Sequence, residues 1–182
     1  MRHHLSILNS FVKRKDWADL ENYLSKMSKS IPSSELKLCE NNAIDGVAGH
    51  YYHRYKDLEI PCVFKLELPK ELSVSEIDIC LVLSNLLENA LEASMRTAPD
   101  KRRITVFARM HSDNVVLIKV ENFYNGVVKE KNGIFESSKH SGEGIGTQSV
   151  RRIAEKGGGY CRFTQKDGIF TADVMLRGNS CL

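Results

Sequence analysis

The chain has 182 residues, 42% of them hydrophobic, and a formal net charge of +3. That length suits one domain, or one domain with a small appendage, and the apolar content is enough to bury a core, which excludes a globally disordered chain. The modest charge, with basic residues dispersed among acidic ones, leaves no footprint for nucleic acid, and none is expected as a partner. The five cysteines (Cys39, Cys62, Cys80, Cys161 and Cys181) contain no C-x-x-C pair and read as reduced thiols of a cytoplasmic protein. No apolar run reaches the ~18 residues of a membrane span, and no signal peptide is present.

Residues 1–31 read as two amphipathic helices. Leu5, Leu8, Phe11 and Val12 recur at helical spacing, as do Trp17, Leu20, Leu24 and Met27, with Lys13–Asp16 as the turn between them. Pro32-Ser-Ser34 breaks the pattern. Such a hairpin keeps one apolar face that needs a partner, either the next domain or a second copy. A helix over 39–57 follows, weakened by Gly46 and Gly49. Val63–Leu68 alternates as a strand. Ser73 or Ser75 caps a long helix that runs to about Met95, before Pro99. Ile104–Met110 and Val115–Val120 form a hairpin through the turn-forming segment 111–114. Residues 122–146 are rich in Asn, Gly, Ser and Lys and lack periodicity, which in a compact domain marks a functional or mobile segment. A helix over 147–156 is stopped by Gly157-Gly-Gly159. Tyr160–Thr164 and Ile169–Leu176 close the chain as a second hairpin. Strand pairs on short turns predict a mixed, mostly antiparallel sheet with helices on one face, an α/β two-layer sandwich preceded by a helical hairpin. The domain division is 1–34 and 35–182.

Two segments carry chemistry. On the long helix, Asp78, Asn85, Asn89, Glu92 and Arg96 fall within about 60° of one another, opposite an apolar body. A solvated helix face is the plain explanation of such a stripe. Against it, two Asn one turn apart cost helix propensity, and an amide oxygen is a hard neutral ligand suited to Mg²⁺. The second segment, Lys139-His-Ser-Gly142-Glu-Gly144-Ile-Gly146-Thr147, offers backbone amides and a helix N-terminus, both suited to anions. A lone glycine loop is more often a mobile linker. It is not a P-loop, because no lysine precedes Thr147, and no strand runs directly into it as a dinucleotide fingerprint requires. The kinase segments that accompany a protein-kinase glycine loop are absent. His50 and His53, three apart, lack further zinc ligands and read as surface residues.

Asn85-x-x-x-Asn89-Ala followed by Gly142-x-Gly-x-Gly146 resembles the N box and second G box of the GHKL ATPases, a superfamily that includes gyrase and the histidine kinases. Asn at position 85, where gyrase-type members carry a general-base Glu, points to the histidine-kinase branch. Ile134-Phe-Glu-Ser-Ser-Lys-His-Ser-Gly-Glu-Gly-Ile-Gly and Ala154-Glu-Lys-Gly-Gly-Gly resemble sensor kinases of the quorum-sensing, AgrC type. The resemblance covers about residues 39–177 and implies a Bergerat-type ATP-binding fold with ATP and Mg²⁺ as cofactors. It implies that Asn89 binds Mg²⁺ and that Asn85 contacts phosphate or orders metal-bound water. Asn122-Phe-Tyr-Asn-Gly126 matches the first G box, D-x-G-x-G. Asn122 then stands in for the Asp that accepts the adenine amino proton, as an amide oxygen can, and Tyr124 replaces the first glycine. Residues 127–141 become the ATP lid, with Lys139 a phosphate contact. Gly142, Gly144 and Gly146 let backbone approach the phosphates, and Thr147 stands where Leu is common.

The resemblance further implies a protein-histidine kinase of a two-component system. Its response regulator and a second copy of the chain, joined through the N-terminal hairpin, are the expected partners, and any membrane anchor belongs to a sensor region preceding this chain. Relatives carry R-H-D-x-x-N-H-L. Arg2-His3-His4 aligns with R-H-D, making His3 the phosphoacceptor. His3-His4-Leu5 aligns equally with N-H-L, which puts the acceptor before Met1. Two solvent-facing helix histidines are the third option. The chain reads as truncated at its N-terminus, and its own autophosphorylation is left open beside a nucleotide-binding regulatory role.

Overall fold

The computed structural model describes residues 2–28, 36–124, 130–131, 134–135 and 145–178. The chain divides into two compact units, Met1–Glu35 and Leu36–Leu182. The first contains α1 (Arg2–Arg14) and α2 (Trp17–Ser28). The turn between them closes where Lys15 adopts φ 55° and Asp16 N–H donates to the Phe11 carbonyl at 3.0 Å. Phe11 and Tyr23 pack across the hairpin with ring centroids 5.8 Å apart.

The second unit begins with α3 (Asn42–Asp57). Asn41 caps it, its Oδ1 accepting from the backbone of Ala43 and Ile44, both at 3.1 Å. The same buried amide donates to the Lys70 carbonyl at 2.9 Å and to Glu76 Oε1 at 2.6 Å. One side chain therefore joins the starts of two helices. Gly46 and Gly49 have open space around their Cα atoms, so each costs only the ~1 kcal/mol of glycine in a helix. The inward face, Ile44, Ala48, Tyr51 and Tyr55, offsets that cost by burial.

β1 (Cys62–Glu67) leads to α4 (Glu76–Arg96), which Ser75 caps. After a 3₁₀ turn (Pro99–Lys101) come β2 (Ile104–Ser112) and β3 (Val115–Phe123). Two-residue strands β4 (Glu130–Lys131) and β5 (Ile134–Phe135) pair as a small antiparallel ribbon within the segment that lacks sequence periodicity. Strands so short carry no period to read. α5 (Ile145–Lys156) starts two residues ahead of the predicted Thr147, and β6 (Tyr160–Lys166) and β7 (Ile169–Arg177) complete the chain.

The main sheet has the order β1-β2-β3-β7-β6. Only β1–β2 is parallel, joined through α4; the other pairs are antiparallel. Asp167 and Gly168, both at positive φ, form the two-residue turn between β6 and β7, the conformation whose twist suits a hairpin. At the other end, a Cβ on Gly159 would lie 2.0 Å from the Met175 carbonyl oxygen. Glycine is therefore required where α5 turns into β6. α3, α4 and α5 pack on one face of the sheet, with α4 in the middle. Ile79, Leu83, Leu87, Ile104, Val106, Ile118, Val150 and Val174 fill the space between the layers. This is the mixed, two-layer α/β sandwich. Among the described residues, no helix is long and apolar enough to cross a membrane.

Candidate functional site

α4 buries Leu83, Leu86, Leu87 and Ala90, so the asparagine stripe turns away from the core toward its neighbour α5. Gly146, in the first turn of α5, sits directly against that stripe. A Cβ there would lie 3.2 Å from both Asn89 Oδ1 and Nδ2 and 3.4 Å from Asn85 Oδ1. The absence of a side chain thus lets the positive end of the α5 dipole approach two amides. Asn85 Nδ2 donates to the Leu81 carbonyl at 2.7 Å, leaving its oxygen toward Gly146. Thr147 follows in the same turn and is half-buried.

Glu88, the carboxylate between the two asparagines, is turned the other way. Its Oε2 accepts from Tyr51 Oη at 3.1 Å and pairs with Arg54 Nη1 at 2.9 Å, both on α3. Burial and the Glu88 charge push the Tyr51 hydroxyl up to about 12, so it serves as a neutral donor. These partners are not legible from the sequence around Glu88, because they come from a helix more than thirty residues away.

Asn122 lies at the end of β3 and is 4% exposed. Its Nδ2 donates to the Phe123 carbonyl at 3.0 Å, which leaves Oδ1 as the acceptor. α4 reaches the same place through Thr97, whose Oγ1 meets the Phe123 carbonyl at 3.4 Å. Tyr124 is held by its backbone N–H on Gly168 at 3.1 Å and by its hydroxyl on Gln165 Oε1 at 3.0 Å. Tyr124 is thereby anchored to the β6–β7 hairpin. Sequence reading did not find Gln165, which belongs to no motif.

Asn85, Asn89 and Gly146 are therefore brought together, Thr147 follows Gly146 in the same turn of α5, and Asn122 lies at the sheet end that α4 also reaches. Gly126, Lys139, Gly142 and Gly144 lie outside the described residues. His3 and His4 are in the first turn of α1, in the N-terminal unit. Among the described residues no group of three or more His, Cys, Asp or Glu side chains could hold a metal ion.

Solved structures share this architecture. The catalytic domain of histidine kinase ThkA superposes with a TM-score of 0.54 at 21% identity, over 75% of this chain and 91% of that one. A mycobacterial sensor histidine kinase, MprB, gives 0.52 at 17%, over 75% and 94%. The Acinetobacter baumannii histidine kinase AdeS gives 0.54 at 15%, over 76% and 64%. Identities this low speak for the fold alone. No curated protein sequence matches the chain. The GHKL domain family model matches residues 74–177, a stretch that holds both asparagines of α4, Asn122 and the N-terminus of α5; the chain belongs to the GHKL domain family.

Proposed function

We propose that this chain is the catalytic region of a sensor histidine kinase of the quorum-sensing, AgrC-like type. It binds Mg-ATP and transfers the γ-phosphoryl group to a histidine. The observation that carries the reading is Gly146 packed against Asn85 and Asn89. That contact joins a helix N-terminus, which attracts phosphate, to neutral oxygen donors that suit Mg²⁺ when phosphates complete its shell.

In this reading Asn89 holds the metal, Asn85 contacts phosphate or metal-bound water, and Gly142, Gly144, Thr147 and Lys139 contribute to binding the triphosphate. Asn122 accepts the adenine amino proton near Gly126. Catalysis is positioning and charge neutralisation. Glu88 is already committed to Tyr51 and Arg54, and position 85 is an amide. Neither position 85 nor Glu88 then supplies a carboxylate to activate water, which favours transfer over hydrolysis. Residues 1–34 act as part of a dimerisation and phosphotransfer hairpin with His3 as acceptor, residues 35–182 as the ATP-binding domain, and a response regulator takes the phosphoryl group onward.

The test is incubation with [γ-³²P]ATP and Mg²⁺. Acid-labile, base-stable label on the protein, lost in Asn89→Ala and in His3→Gln, supports the whole reading. Nucleotide binding without label restricts the chain to a regulatory nucleotide-binding module. No Mg²⁺-dependent binding, with Asn89→Ala behaving as wild type, refutes both.

A further inference from the structure

Two buried side-chain atoms without a hydrogen-bond partner, Ser94 Oγ and Gln165 Nε2, lie toward the Asn122 end of the sheet. Buried polar atoms are rarely left unpaired, since each then forfeits its hydrogen bond to water with nothing in return. Ser94 is on α4 one turn before Thr97, which touches the Phe123 carbonyl. Gln165 on β6 pairs in register with Phe170 on β7, and Phe170 with Asn122 on β3. The two amides thus rise from the helix-facing side of the sheet two strands apart, about 10 Å by strand spacing. Phe170 lies between them and stacks on Phe163, with ring centroids 6.0 Å apart and planes 16° from parallel. This row is an apolar floor with an amide at each end.

The hydrogen bonds at each end fix which atom is left over. Tyr124 Oη donates to Gln165 Oε1 at 3.0 Å, so Nε2 is the free donor. Asn122 Nδ2 is used by the Phe123 carbonyl at 3.0 Å, so Oδ1 is the free acceptor. We propose that Gln165 is a base-specificity residue: its Nε2 donates to ring N1 of an adenine whose exocyclic amino group donates to Asn122 Oδ1. This rests on the nucleotide-binding reading above and adds to it a second polar determinant. One acceptor and one donor complement the adenine edge. Guanine presents there the O6 acceptor and the N1–H donor, each meeting a group of the same sense. A site built to hydrogen-bond its ligand rejects such an analogue strongly, because its buried groups are then left unpaired.

The experiment titrates the intact wild-type chain and Gln165→Leu with ATP, with GTP and with 1-deaza-ATP, in which ring N1 is replaced by C–H. Thermal unfolding checks the fold. The wild type should bind 1-deaza-ATP about tenfold more weakly than ATP, the loss of one hydrogen bond. Gln165→Leu should bind the two alike at the weaker affinity and discriminate less against GTP. If that variant does not fold, Gln165→Glu takes its place, since it keeps the volume and the acceptor for Tyr124 but lacks the donor. The proposal is overturned if the variant binds ATP as the wild type does. It is also overturned if the variant loses the same factor for ATP and 1-deaza-ATP, as a purely structural residue would. A wild type that binds ATP without discriminating at N1 removes this proposal alone; one that binds no ATP removes the nucleotide reading as well.

Discussion

At the residue scale, Gly146 matters for what it lacks. Glycine near a helix start is usually explained by flexibility, yet here the helix is regular and the gain is proximity. Gly146→Ala sets two effects against each other. Alanine favours the helix by roughly 1 kcal/mol over glycine. The new methyl, 3.2 Å from both amide atoms of Asn89, forces that side chain to give by a few tenths of an ångström. The expected outcome is a melting temperature within a few degrees of wild type and a nucleotide affinity about tenfold weaker, read by thermal unfolding and a binding titration on the same sample. Unchanged affinity would reduce the contact to packing. The sequence marked Gly146 as one of three loop glycines; which asparagines it faces is a property of how α5 lies on α4.

At the element scale, α3 and α4 are joined by tyrosines. Tyr55 is fully buried and its hydroxyl donates to the Leu87 carbonyl at 2.8 Å, while Tyr51 donates to Glu88 at 3.1 Å. Burial raises both hydroxyls, Tyr51 to about 12 and Tyr55 further. An unfolded tyrosine titrates near pH 10. Above that pH the unfolded chain binds fewer protons than the folded one, so stability is fully present below about pH 10 and falls as pH rises through 12. Urea midpoints should therefore decline between pH 10 and 12, and less steeply in Tyr51→Phe, which also loses about 1 kcal/mol at neutral pH with its hydrogen bond. Equal slopes in wild type and variant would place the alkaline sensitivity elsewhere. These elements were legible in advance because their signals are local: the alternation of β1, a serine cap at 73 or 75 and the 3.6-residue period of α4. The long-range partners were not, since Tyr51 and Arg54 reach Glu88, and Gln165 reaches Tyr124, from elements whose own patterns say only that they are a helix and a strand.

At the scale of the molecule, the core that runs from Cys39 to Leu176 lies wholly within the second unit. So does the family match at 74–177. Every described residue assigned to nucleotide contact also lies there, from Asn85 to Gln165, whereas His3 lies in α1. Binding and phosphoacceptance are thus assigned to different units, and a cut between them should separate the two activities. A fragment of residues 36–182 keeps the Asn41 cap, its bonds to Lys70 and Glu76 and the full five-stranded sheet. It is expected to unfold cooperatively and to bind ATP within about twofold of the intact chain, because no term in the binding free energy larger than ~0.4 kcal/mol is assigned to the hairpin. It should incorporate no phosphoryl label. Calorimetric titration of fragment and intact chain under one set of conditions decides the matter. A tenfold loss of affinity in the fragment would mean that the hairpin contributes to the site itself, and the assignment of His3 as a separate acceptor would then have to give way.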